Sequence, residues 1–496
     1  MGSVVSTNNI SHSQSSQNQT SQYNHNHPNK RPKLSSSPHN HMYPENSRLI
    51  PSLPDEISLQ ILARIPRIHH LTLKSVSRNW RSAILSSDLF HLRKELQVTE
   101  EWVYILTKME SNKLCWHGFD PVSGLWQQLP PMPYFLHDET NTRLRRGSNG
   151  SRMWNVIGST IRIADFVRGW FSRRDGAEQL PFCGCAVAAV GGCLYVLGGF
   201  ARSLALSCVW RYDPRSNSWD QVGPMGSGRA FCKTGVLDGK LYVIGGVSRA
   251  RNGRLNPLRS GEVFDPLTGT WEPVPDMPFT KAQILPAAFL ADVLKPVATG
   301  MACFRQRLYV TQSLYSWPFF FDIGGEVFDP RSCTWGPMPA GMGDGWPARQ
   351  AGTKLGLVVN GDLYALEPSS SLDSGMIKRY DSQEDAWKIA VSRVPVRDFT
   401  ESEAPFLLAG FHESFHVITK DGDNNISVLR ARAMDGTAGS SSDTGSSSSS
   451  SSSSGSGSSS NLQEGGTNED NNSNWRLIAA RNFGMAELVS CQVLDL

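Results

Sequence analysis

Apolar residues along this chain follow two different periods. Between positions 53 and 90 they recur at three- and four-residue steps: Ile57, Ile61 and Leu62 fall on one face of a first segment, and Leu73, Val76, Trp80, Ala83 and Ile84 line a second, as in amphipathic helices. Pro54 suits a first helical turn, Asp55 and Glu56 complement its dipole, and Pro66 ends it. From about position 101 the pattern changes to short β-rich runs, Val103 to Leu106, Leu194 to Leu197, Leu241 to Ile244, Leu308 to Thr311, Leu363 to Leu366 and Phe415 to Thr419, each of which predicts a strand. Two stretches lack a pattern. Residues 1–48 are rich in Ser, Asn, Gln and His, and residues 436–474 include nine consecutive serines from Ser446 to Ser454. Neither buries enough apolar surface to offset ordering entropy, so both are expected to be disordered.

The strand-rich region repeats. An aromatic-Asp pair followed by Trp six residues after the Asp occurs at Phe119-Asp120 with Trp126, Tyr212-Asp213 with Trp219, Phe264-Asp265 with Trp271, Phe328-Asp329 with Trp335, and Tyr380-Asp381 with Trp387. Trp475 stands as the tryptophan of a sixth repeat, beyond the serine tract. Successive tryptophans are 93, 52, 64, 52 and 88 residues apart. Against a repeat of about 50 residues, the two long gaps read as one repeat plus an insertion, one over 134–180 and the other the serine tract. The first repeat begins at Glu101 without a leading strand. Residues 481–494 read like that missing strand, which predicts a ring closed by pairing the two ends of the repeat region and leaving no open sheet edge.

The whole chain has 496 residues and a formal net charge of +3, with charged residues at 19%, so the overall balance demands neither a nucleic-acid nor a membrane partner. It has nine cysteines and no Cys-x-x-Cys pair, as expected of reduced thiols in an intracellular protein. The N-terminal residues lack an apolar run of the kind a secretory signal needs and no run of about 18 apolar residues occurs, so neither a leader nor a membrane span is expected.

Gly-Gly doublets close two of the β runs, at Gly198-Gly199 and Gly245-Gly246. With the aromatic-Asp-Pro-x4-Trp pattern they closely resemble the kelch repeat over residues 101–496, and the resemblance implies a six-bladed β-propeller. The doublet is replaced by Thr311-Gln312 in the fourth repeat and Glu367-Pro368 in the fifth. The helical segment, residues 49–97, resembles the F-box through Leu53-Pro54, Ile57, Leu62, Ile65-Pro66, Val76, Arg78, Trp80 and Phe90, with Ser77 where that family usually has Cys. Together they resemble the F-box/kelch proteins. That resemblance implies a non-catalytic substrate receptor of a Skp-cullin-F-box ubiquitin ligase, located in nucleus or cytoplasm and without cofactor or metal. Its F-box would dock a Skp-type adaptor, and through it a cullin-RING ligase, with Leu53, Pro54, Ile57, Leu62, Val76 and Trp80 as candidate contacts. Its propeller would bind a protein substrate, with Arg229 and Arg349, where leading strands begin, as candidate contacts. A kelch scaffold outside any ligase is the alternative.

Other motifs lead elsewhere. His412-Glu413-Ser-Phe-His416 matches the H-E-x-x-H zinc peptidase pattern, which needs a helix so that both imidazoles reach one metal. Here it falls on the sixth β run, with no following Glu before Glu464. Some kelch-like propellers are copper oxidases, but no His, Tyr and Cys ligand set of identifiable spacing occurs. Gly2 fits an N-myristoylation pattern and Lys30-Arg31-Pro32-Lys33 a short nuclear import signal. Within 134–180, Met153, Trp154, Ile157, Ile161, Ala164, Val167 and Phe171 have helical spacing among arginines, suiting either packing across the ring or a partner.

Overall fold

The computed structural model describes residues 48–109, 113–132, 184–201, 204–249, 255–283, 295–316, 319–346, 356–367, 375–394, 407–421, 423–432 and 475–496. The expectations for residues 1–47, for both insertions and for Arg349 lie outside these residues.

Each repeat folds locally for a reason visible in its motif. The aromatic residue and the tryptophan face each other across an antiparallel hairpin: Phe119 opposite Trp126, Tyr212 opposite Trp219, Phe264 opposite Trp271, Phe328 opposite Trp335, and Tyr380 opposite Trp387. Such cross-strand aromatic pairs favour sheet pairing. The aspartate shapes the turn, because its Oδ1 accepts the backbone N–H two residues on, from Val122, Arg215, Leu267, Arg331 and Gln383, at 2.8–2.9 Å. Two residues before each tryptophan the chain is left-handed, at Gly124, Asn217, Gly269, Cys333 and Asp385. The chain can then turn back into the outermost strand.

Six four-stranded antiparallel sheets result. From the channel outward the first contains Glu487–Asp495, Glu101–Lys108, Leu114–Phe119 and Trp126–Gln128, and the second Ala186–Val190, Cys193–Leu197, Val209–Asp213 and Ser218–Val222. The third begins at Lys233–Leu237, the fourth at Lys295–Phe304, the fifth at Gly356–Val359 and the sixth at Leu407–Phe411. The innermost strands touch one another all the way round, so the sheets are the blades of a six-bladed propeller. Apolar clusters fill each interface between blades. Trp102, Tyr104 and Trp116 meet Leu194, Val196 and Tyr212 between the first and second blades, and Val103, Ile105 and Phe119 meet Leu407, Ala409 and Ile418 where the sixth returns to the first. The tryptophans also link neighbouring blades by hydrogen bonds. Indole N–H groups of Trp219, Trp271, Trp335 and Trp387 donate to carbonyls of Pro130, Gly223, Pro275 and Met342, just past the preceding blade's outermost strand, at 2.8–3.0 Å. Trp126 instead packs against Phe483 of the sixth blade, centroids 5.3 Å apart. Trp475 packs at the fifth interface, and its indole N–H has no acceptor among the described residues.

The twin glycines are needed at two blades. Gly198 and Gly245 have φ of +58° and +64°, and a Cβ on Gly198 would lie 2.1 Å from the Arg229 carbonyl. In the fourth blade, where Thr311-Gln312 replaces the doublet, the second and third strands stay paired through a register shift as far as Ser316 and Phe319.

Ring closure follows the expectation, with one correction. Glu487–Asp495 pairs with Glu101–Lys108 as the first blade's innermost strand, but Arg481 and Asn482 belong to the sixth blade's outermost strand, Arg476–Asn482. Removing residues 484–496 is expected to abolish the propeller's cooperative melting, because the first blade loses its innermost strand and the sixth loses the packing of Leu488 and Cys491. An unchanged thermal midpoint would rule out closure by this strand.

Candidate interaction surfaces

The helical unit has four α-helices: α1 (Asp55–Ala63), α2 (His70–Leu73), α3 (Arg78–Leu85) and α4 (Ser87–Glu95). Ser77 and Ser86 cap α3 and α4, their hydroxyls accepting the N–H groups of Trp80 and Leu89. The core is small. Leu62, Ala63, Ala83, Ile84 and Leu89 are buried, and Leu49, Leu59, Ile65, Leu73, Trp80, Leu92 and Leu96 pack around them. A core of this size leaves apolar side chains outside it: Ile57 is 44% exposed and Val76 59%, with Ile61, Leu71 and Leu85 also open.

The candidate adaptor contacts therefore divide. Pro54, Ile57 and Val76 are exposed and Leu53 is half-buried. Leu62 is 0% exposed, so it holds the helices together and is unavailable to a partner. Trp80 is half-buried, and its Nε1 donates to the Leu49 carbonyl at 2.6 Å, which ties the chain before α1 to α3. Ile61 takes the outward place expected for Leu62. The two are neighbours on one amphipathic helix, and only the packing of α4 against α1 decides which points inward.

The helical unit rests on one face of the ring. In a blade built from four consecutive antiparallel strands, the turn between first and second strands and the turn between third and fourth lie at the same end of the sheet. In the second blade these are Gly191-Gly192 and the turn after Asp213, and the helical unit meets both. Phe90 covers Gly192, Arg67 Nη2 donates to the Pro214 carbonyl at 2.6 Å, and Lys74 Nζ donates to the Arg215 carbonyl. The opposite face carries the connections from blade to blade. There the chain enters the second blade at Gly184 after the insertion and the third at Arg229, and there the fourth blade's long hairpin extends.

Arg229 is a correction. Its side chain is 1% exposed, and Nε and Nη2 donate to Glu262 Oε1 at 3.1 and 2.7 Å, while Nη1 donates to the Gly245 and Ser260 carbonyls and Nη2 also to the Ser260 hydroxyl. All five N–H groups are thus bound inside the protein, leaving none for a substrate. Glu262 also accepts the N–H groups of Gly226 and Ser227, so the pair fixes the loop between the second and third blades. At the matching place in the fourth blade Glu326 accepts N–H groups of Phe279 and Thr280, and Gln312 Nε2 donates to it at 2.7 Å. The residue that breaks the Gly-Gly doublet thus fills the place of the arginine.

Comparison with known proteins agrees with both halves. The F-box domain family matches residues 50–92, and the Kelch motif family matches residues 181–226 and 228–278. The F-box/kelch-repeat protein At1g22040 of Arabidopsis thaliana is 54% identical over 452 residues, 91% of this chain and 92% of that protein. The chain is an F-box/kelch-repeat protein. More distant members of this family from the same plant include At1g30090, 28% identical over 60% of this chain and 61% of its own, and SKIP4, 27% identical over 64% and 69%.

Within the kelch ring the H-E-x-x-H sequence is a β-hairpin. His412 and Glu413 form the turn, with φ of +47° and +53°, and only Ser414 onward is strand. The His412 ring nitrogen lies 3.3 Å from Glu101, whereas the buried His416 ring stacks on Phe411, centroids 3.4 Å apart. The two imidazoles are engaged with different partners. Among the described residues no group of three His, Cys, Asp or Glu side chains is placed to hold a metal. No helix among them is long and apolar enough to cross a membrane.

Two measurements test these assignments. Arg229→Ala leaves the Glu262 carboxylate buried without its cation and is expected to cost about 3–5 kcal/mol in denaturant unfolding; a loss under about 1 kcal/mol would show the pair to be dispensable. Burial, with Arg430 nearby, pushes the His416 pKa down to about 3, against an unfolded value near 6.5. The unfolded chain therefore binds the extra proton, and stability present above pH 6.5 falls as pH drops toward 3, by up to about 1.4 kcal/mol per pH unit. His416→Phe keeps a ring on Phe411 and is expected to flatten the thermal midpoint between pH 6.5 and 4.5 relative to wild type; parallel curves would contradict this.

Proposed function

We propose that this chain is the substrate-recognition subunit of a Skp-cullin-F-box ubiquitin ligase. The carrying observation is the open apolar surface of the F-box, Ile57 and Ile61 one turn apart on α1 with Val76 beyond α2, on a unit whose interior is packed and whose α3 and α4 are capped. Exposed apolar side chains on so small a unit suit a protein partner, and membership of the F-box family favours a Skp-type adaptor in that place. The ring would hold the protein to be modified on the face opposite the F-box, where loops connect the blades. Catalysis would be by proximity: the bound substrate's lysines are kept at high effective concentration near a charged ubiquitin-conjugating enzyme, and this chain supplies no catalytic group. The cytoplasm or nucleus, where that machinery works, would be its location.

Purified full-length chain is expected to bind a Skp-type adaptor, and Ile57→Glu with Val76→Glu to weaken binding at least about 100-fold by placing charges in a dry interface. Wild-type protein that leaves the adaptor unbound would favour a kelch scaffold that works outside any ligase.

A further inference from the structure

One carboxylate joins the F-box to the ring. Glu100 lies in the four-residue link between Leu96 at the end of α4 and the first blade. Its Oε1 and Oε2 accept the backbone N–H of Arg67 at 3.0 and 3.3 Å, its Oε1 accepts Arg93 Nη2 at 2.8 Å, and its Oε2 accepts the indole N–H of Trp102 at 3.1 Å. Its own N–H and carbonyl pair with Leu496 at 2.9 and 3.0 Å. The partners come from four places: the short turn after α1, helix α4, the core between the first two blades, and the end of the closing strand.

Each partner is itself anchored. Arg93, whose side chain is 4% exposed, donates to the carbonyls of Ala63, Ile65 and Val98 as well. Arg67 reaches the Pro214 carbonyl, and its guanidinium lies 5.7 Å from the Trp102 ring. Ile68 packs against the apolar cluster between the first and second blades. A link of four residues without such bonds would let the F-box swing about the ring. Here a charge-assisted network spans it.

We propose that Glu100 is a positioning residue for ubiquitin transfer: it sets the angle at which the propeller is presented to the conjugating enzyme and so selects which lysines can be reached. This rests on the ligase reading above. Glu100 itself touches neither the open F-box residues Ile57, Ile61 and Val76 nor the substrate face, so its removal separates geometry from binding.

The test uses the full chain in a ligase assembled with Skp-type adaptor, cullin and RING subunits, with self-ubiquitylated lysines on the ring mapped by mass spectrometry. Glu100→Ala is expected to bind the adaptor within about twofold of wild type but to modify a broader set of lysines, with Glu100→Gln, which keeps an acceptor oxygen, intermediate. An identical lysine pattern in a Glu100→Ala chain that still binds the adaptor overturns the proposal. A wild-type chain that fails to bind the adaptor overturns the ligase reading, and the positioning role with it. Hydrogen exchange on the wild-type chain tests the joint without any variant. The Arg67 amide should exchange as slowly as those of Glu101–Lys108, and exchange about 100-fold faster would show that the joint opens on its own and overturn the proposal.

Discussion

Closure of the ring is the constraint on which the other features depend. Glu487–Asp495 must cross the ring's seam and pair with Glu101–Lys108 before the first blade has an inner strand, and only then do the first and sixth blades share a core. Every other blade is built from consecutive strands and can pair locally. Among the described residues the seam is the one place where strands nearly 400 positions apart must pair, which incurs the largest loop-closure cost and makes it the last place expected to form. Once made, it also reaches the joint: Leu496 continues the closing strand and pairs with the main chain of Glu100, so closure adds two bonds at the base of the F-box.

Much of this architecture was legible in the sequence because its determinants are local. In five of the six repeats the aromatic, the aspartate and the tryptophan lie within eight positions and act over short range. The aromatic forms a cross-strand ring pair, the aspartate carboxylate caps a turn, and the indole reaches the neighbouring blade. The six strand runs became the second strands of six blades for the same reason. The closing strand was legible in kind, since one repeat lacked a leading strand and one such strand remained unused, while its starting residue was misplaced by the adjoining outermost strand of the sixth blade.

What escaped the sequence depends on side chains meeting across long separations. Arg229 stands at a loop entering a blade, where exposure is the ordinary expectation, but Glu262 and the Ser260 carbonyl draw it inside. Ile61 and Leu62 are indistinguishable by period until α4 packs against one side of α1. His412 and His416 match a helical metal motif letter for letter, yet two left-handed residues turn the segment into a hairpin. In each case composition and spacing are local quantities, and burial is set by partners the spacing does not contain.

The two long interruptions of the repeat leave the ring at opposite ends of its axis. Met132 and Gly184 flank the first where one blade hands over to the next, on the side away from the F-box, whereas Arg432 and Trp475 flank the serine tract between two strands that pair directly, on the side that carries the F-box. Because the paired strands already hold those two ends together, extra residues there add only a logarithmically growing entropic cost. The fold thus offers one port for lengthening the chain on the F-box side of the ring and another on the opposite side, and each can vary in length without disturbing a blade.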